Sequence, residues 1–270
     1  MSDQERLAGY VETWKQACTD FVALARTLTP EQAHTPTDLA GWDVQDNVAH
    51  TAHLEAVLAG GPEETVEVTP AAHIKGLTGH YTEQGVLARR DRTVAELADE
   101  IEDAVSRRYA ALLADPPTDG SVPAPKTPGG VPWSTDTLLG NRPLDVWMHE
   151  QDIRRAIGSP GGFDSPAATF TIRRFASGLP VVLGKRVAPT AGTSVAIDIP
   201  EAGVRTAAIV GDDGRATPTD RADVDATITL SPEAYVILAG GRRPVDSVEV
   251  QIDGDEALAR QVLAVLAVTP

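Results

Sequence analysis

A single cysteine, Cys18, stands in a chain of 270 residues. It leaves no partner for an intrachain disulfide and rules out any CxxC metal or redox motif. Cys18 falls among Val11, Trp14, Phe21, Val22 and Leu24 on a helical pattern, and reads as a buried structural thiol rather than a nucleophile. No apolar run approaches the roughly 18 to 20 residues of a membrane span. The opening MSDQERLAGYVETWKQ is charged and lacks the apolar stretch of a signal peptide. A cytoplasmic protein with no membrane partner is the expectation. Basic residues are scarce beside acidic ones, 23 against 39, which gives a net charge of −16 without a basic run. Nucleic-acid binding is disfavoured, because phosphate backbones call for a basic stripe. The acidity reads as a solvated surface. There is no P-loop, no G-x-G-x-x-G turn and no G-x-S-x-G elbow, so nucleotide binding and triad hydrolysis have no local support.

Apolar residues make up 42% of the chain, enough for a real core, and the length suggests two domains. Residues 3–28 have helical spacing and stop at Thr29-Pro30, with Pro36 continuing the break. Asp43, followed by Asp46 three residues on, opens a second helix that runs to Gly60-Gly61-Pro62. Residues 63–92 suggest a loop and a short helix, GLTGHYTEQGVLARR. Thr93 with Glu96 caps a third long helix to about Leu113. A Pro/Gly-rich surface loop follows, and a fourth long helix covers about 136–157. Pro143 lies inside that last pattern, so the helix either restarts near Asn141 or kinks. The remainder differs in character: a helix over 166–183, β-type runs SVAIDI, TAAIV, ATITL and SVEVQI, a short helix capped by Ser231, and a closing helix from Asp255 to Leu266. A four-helix half is thus followed by a mixed α/β domain, with the boundary near 160.

On a helical wheel His50 lies near the apolar face of the second long helix, and His53 sits further round, at its edge. On the fourth, Asp145 and His149 are four apart and therefore stacked, with Asp152 on the same face. Ionisable groups bordering a core are costly unless paired or coordinated. Two His and one carboxylate form a familiar open metal set. The same spacing also suits a plain Asp145–His149 hydrogen bond, so spacing alone leaves both readings open. Asp152 is a candidate to orient a ligand His, or to pair with Arg155 or Arg142. Trp42 and Trp147 flank this region and read as core anchors.

The strings GWDVQDNVAHTAHL and RPLDVWMHEQDIRRAIG, about a hundred residues apart, resemble the mycothiol-dependent maleylpyruvate isomerase family, part of the DinB-like metalloprotein superfamily. The ending LSPEAYVILAGGRRPVDSVEVQIDGDEALARQVLAVLAVTP resembles that family's C-terminal domain, which is related to sterol-carrier-protein folds. The resemblance implies an α + α/β fold: a DinB-like four-helix bundle over 1–160, then a small sterol-carrier-like α+β domain over 161–270. It implies a divalent metal held by His50, Asp145 and His149, with Asp145 standing where the best-known members carry Glu. A functional Arg falls on Arg242, with Arg243 adjacent. Zinc is the implied metal, nickel and iron also suiting the ligand set. Mycothiol is the implied thiol cosubstrate and a small electrophile the substrate, for an isomerase or S-transferase acting as a monomer or homodimer. The alternative is a non-catalytic stress protein that binds a metal or an apolar ligand.

Overall fold

A computed structural model describes residues 2–269. The chain divides into two compact units between Ala168 and Thr169. The sequence suggested a break near 160. Residues 161 and 162 stay with the first unit because Trp147 Nε1 donates to the Gly162 carbonyl and Gln151 Nε2 to that of Gly161, each at 3.1 Å.

The helices of the first unit begin where their caps stand. Helix α1, Asp3–Ala25, starts at a capping box of Ser2 and Glu5. Thr29 and Gln32 form another box, so a one-turn helix α2, Pro30–Ala33, stands where only a break was expected. Helix α3, Val44–Leu58, is capped by Asp43 and Asp46 as the spacing predicts. Helix α4, Gly76–Leu87, starts without a side-chain cap. Helix α5, Val94–Ala114, opens on Thr93 and Glu96. Helix α6, Thr135–Ala156, opens on Ser134 and runs on through Pro143, so the restart at Asn141 does not occur. Pro143 has no N–H to give to the Leu139 carbonyl, a bond the rest of the helix does without.

The four long helices close on one another: α1 packs on α5 and α6, and α3 packs on the same two. Leu7, Trp14 and Phe21 of α1, Val44 and Val48 of α3, Leu97 and Ile101 of α5, and Val146 and Ile153 of α6 fill the centre. Burying each such side chain is worth roughly 1.5–3 kcal/mol. Helix α3 also buries Asn47, His50, His53 and Glu55, and α6 buries Arg142, His149, Glu150, Gln151 and Asp152. Helix α4 packs against it.

In the second unit the helix expected over 166–183 breaks at Gly178. Helix α7, Pro166–Ala176, is followed by the one-turn α8, Leu179–Val181, and a π-type turn, Val182–Val187. The strands are β1 Ser194–Ile199, β2 Val204–Val210, β3 Ala216–Pro218, β4 Ala226–Thr229 and β5 Gln251–Gly254. They form one sheet in the order β3-β2-β1-β4-β5, antiparallel except for the β1–β4 pair. The three-residue edge strand β3, which ends on Pro218, was not visible in the sequence. Strand β5 starts at Gln251 rather than at the beginning of SVEVQI. Its partner β4 offers only Ala226–Thr229, paired from Gly254 back to Gln251, before the chain turns into helix α9, Pro232–Ala239. Helix α10, Glu256–Ala264, closes the unit. Among the described residues no helix is long and apolar enough to cross a membrane.

The Asp43 cap starts the helix that carries His50. Asp43→Ala is expected to lower unfolding stability by about 1 kcal/mol, read from urea denaturation. An unchanged midpoint would contradict the capping role.

Candidate metal centre

Helices α3 and α6 bring His50, Asp145 and His149 together, with one donor atom from each lying within 4.8 Å of the others. The carboxylate faces both rings. Its Oδ2 is 3.7 Å from His50 Nε2 and its Oδ1 is 3.8 Å from His149 Nε2. The two imidazoles meet nearly edge to face, with centroids 4.7 Å apart. Bonds of about 2.0–2.2 Å in a tetrahedral set place donor atoms roughly 3.3–3.6 Å apart. The three donors, one from each side chain and within 4.8 Å of one another, would draw in by up to about 1.5 Å to hold a divalent ion. Both rings are buried, while the Asp145 side chain keeps 22% of its surface exposed, so the centre opens beside the carboxylate.

The protonation states of His50 and Asp145 favour metal binding. Burial pushes the His50 imidazole below its ordinary pKa, repulsion from His149 and Arg142 adds to this, and Asp145 opposes it. Burial raises the Asp145 carboxyl, but the Arg142 guanidinium and the two His rings outweigh it and hold the group well below the usual carboxylate range. A neutral imidazole and an ionised carboxylate are the forms a metal needs.

The outer partners fix the three side chains. Asn47, three residues before His50 on α3, donates through Nδ2 to the Asp43 carbonyl at 2.9 Å and to Thr37 Oγ1 at 3.2 Å. Its Oδ1 is thereby left as the acceptor, 2.8 Å from His149 Nδ1. The His149 proton then sits on Nδ1 and the Nε2 lone pair is left facing Asp145, as a His that ligates a metal requires. Asp152 Oδ2 lies 3.4 Å from the same Nδ1. Its other oxygen pairs with Arg155, not Arg142, and Arg155 reaches Asp38 at 2.7 Å. On the opposite side, Arg142 Nη1 donates to Asp145 Oδ2 at 2.9 Å.

Trp147 is a core anchor as expected, edge-on to Phe163. Trp42 is not. Its ring stands 5.0 Å from His50 and 6.0 Å from His149, centroid to centroid, so it walls the centre. Its Nε1 donates to buried Glu83 of α4 at 2.9 Å, which fixes its orientation. His53 does not stay at the helix edge; it is fully buried, its ring against Tyr81 and Gly85. A Cβ at position 85 would lie 2.1 Å from the His53 ring, so only Gly fits there. Arg242 belongs to the second unit, just after α9, half-buried, with Nη1 donating to the Gly240 carbonyl at 2.8 Å. The sequence reading passed over Asn47, Glu55 and Glu83. For Asn47 a signal was present: it precedes His50 by three on the same helical face.

A family profile described as the mycothiol maleylpyruvate isomerase N-terminal domain matches residues 14–154, more than half the chain. The chain belongs to this family. That span carries all three candidate ligands. Two crystal structures are similar over most of the length: mycothiol-dependent maleylpyruvate isomerase, and a histidine-to-alanine mutant of it. They cover 93% of this chain and 95% of theirs, at 17% and 16% identity, with TM-scores of 0.59 and 0.58. At such identity the likeness speaks for the fold, a helical unit and a mixed α+β unit. No curated protein matches by sequence.

His53 has a measurable consequence. Both ring nitrogens are buried without a hydrogen-bond partner, and burial, with Arg89 and His50, pushes its pKa down to about 3. The unfolded chain takes up this proton below about pH 6.5, whereas the folded chain refuses it until about pH 3. Stability is therefore full above the unfolded value and declines as pH falls through that window, with His50 and then Asp145 adding in the same direction. The urea midpoint of the metal-free protein is expected to fall between about pH 7 and pH 5, and to fall less steeply in His53→Leu. Equal slopes in the two proteins would remove the imidazole as the source.

Proposed function

We propose that this chain is a metal-dependent enzyme that activates mycothiol for isomerisation of, or S-conjugation to, a small electrophile. The observation that carries the reading is the convergence of His50, Asp145 and His149, inside the span that defines the family. Zinc is the metal proposed, nickel and iron being compatible with two imidazoles and a carboxylate. When bound, such an ion lowers the pKa of a coordinated thiol and so supplies a thiolate near neutral pH.

The chain's own residues do the rest. His50 presents a neutral nitrogen, and His149 a ring oriented by Asn47. Asp145 supplies the anionic donor and marks the open side of the centre. Trp42 covers the two rings and limits water around them. Cys18 is buried and its thiol is pushed up by burial, so the reacting thiol comes from outside the protein. Arg242 is assigned to a substrate carboxylate or a developing enolate, which a planar guanidinium suits. A thiol that adds to an activated double bond permits rotation about the resulting single bond. Its loss then returns the isomer, and its retention gives the conjugate.

Protein purified without chelator or a nickel column is expected to hold one divalent ion per chain, and the His50→Ala/His149→Ala double variant none. Turnover of maleylpyruvate-like electrophiles with mycothiol should fall about a hundredfold or more in His149→Ala, at or beyond the effect of losing an outer partner. Equal metal content in wild type and double variant would overturn the metal reading. Metal uptake without turnover, across a panel of thiols and electrophiles, would overturn the enzymatic one.

A further inference from the structure

The Asp145 carboxylate is tied to a buried charge network that no candidate ligand accounts for. Glu55 on α3 is fully buried. Arg142 on α6, equally buried, donates to Glu55 Oε1 through Nε at 3.0 Å and Nη2 at 2.8 Å, while its Nη1 holds Asp145 Oδ2 at 2.9 Å. The guanidinium is thus a bridge from the metal-site carboxylate to a second carboxylate. The other oxygen of Glu55 accepts from Arg108 of α5 at 3.3 Å, and Arg108 lies over the Trp14 ring at 4.6 Å.

Two carboxylates and two guanidiniums cancel in formal charge, but the division is uneven. Arg142 sits on a carboxylate that a dication would also need. A positive charge hydrogen-bonded to a ligand oxygen withdraws electron density and repels the ion. Glu55 offsets this by accepting two of the three hydrogen bonds that Arg142 makes. It also holds the guanidinium in place, so that Arg142 can fix the short Asp145 arm without neutralising it. Such charges act strongly because the surroundings are dry.

We infer that Glu55 is a positioning residue that sets the divalent-metal affinity of the centre from outside it, through its hold on Arg142. The inference rests on the metal reading proposed above. It predicts opposite signs for two substitutions in one network. Glu55→Gln keeps the shape and removes a negative charge next to Arg142. Arg108→Met removes a positive charge and leaves Glu55 wholly to Arg142.

The test is the zinc affinity of the full-length wild type and of both variants. It is measured by competition with a chromophoric chelator, on protein whose circular dichroism matches wild type. Glu55→Gln is expected to bind zinc about tenfold more weakly, in the range typical for outer partners of a metal site. Arg108→Met is expected to bind zinc more tightly than wild type. Wild-type affinity in Glu55→Gln overturns the inference. So does an equal loss in both variants, which a merely structural network would give. Should Glu55→Gln not fold, a tighter affinity in Arg108→Met supports the inference and an unchanged or weaker one overturns it. Wild-type protein that takes up no zinc overturns the metal reading itself, whereas zinc uptake indifferent to Glu55 overturns this inference alone.

Discussion

The bundle must bury charge in order to hold two imidazoles and a carboxylate between α3 and α6, and the bridge from Glu55 through Arg142 to Asp145 is how it does so. An isolated buried carboxylate would protonate and a lone buried guanidinium would be strongly destabilising. Linked, they keep Asp145 ionised beside His50 and His149. Because Glu55 comes from α3, Arg142 and Asp145 from α6 and Arg108 from α5, the same contacts that preserve the charge also set the register of three helices. The site and the core of this unit are one structure rather than a site added to a core.

The outer partners fall into two groups of different character. On the His149 side they are short and local: Asn47 is fixed by the capping region of α3 and turns the imidazole so that Nε2 faces the carboxylate. On the Asp145 side they are charged and reach across the bundle. Trp42 joins the two from above, its indole held by Glu83 of α4 against both rings. The short arm of Asp145 is held at Oδ2 by Arg142.

Much of this was legible in the sequence because it is local. Asp43 with Asp46 and Thr93 with Glu96 mark helix starts by spacing alone, and the i, i+4 pair Asp145–His149 places two donors on one face. The pairing of α3 with α6 is not local, and the resemblance of two distant strings stood in for it. What escaped depends on tertiary partners. Glu55 falls on the apolar side of α3, seven residues after Val48, but its spacing does not show the partners, Arg142 and Arg108, that make its burial tolerable. Trp42 was read as packing because nothing in GWD announces that the ring ends on two imidazoles. Strand β5 was drawn too early because its limits are set by the length of β4, not by its own residues. The two units divide between Ala168 and Thr169, and the glycines just after 160 are tied to the first by Trp147 and Gln151.

On the proposed function, His50, Asp145 and His149 together hold one divalent ion. Anomalous diffraction from zinc-loaded crystals, collected on both sides of the zinc edge, tests it most directly. The account predicts a single peak about 2.0–2.2 Å from a nitrogen of each His and from an oxygen of Asp145, with Arg142 still on that carboxylate. A peak bound elsewhere on the chain, or no edge-dependent peak between α3 and α6, would contradict it.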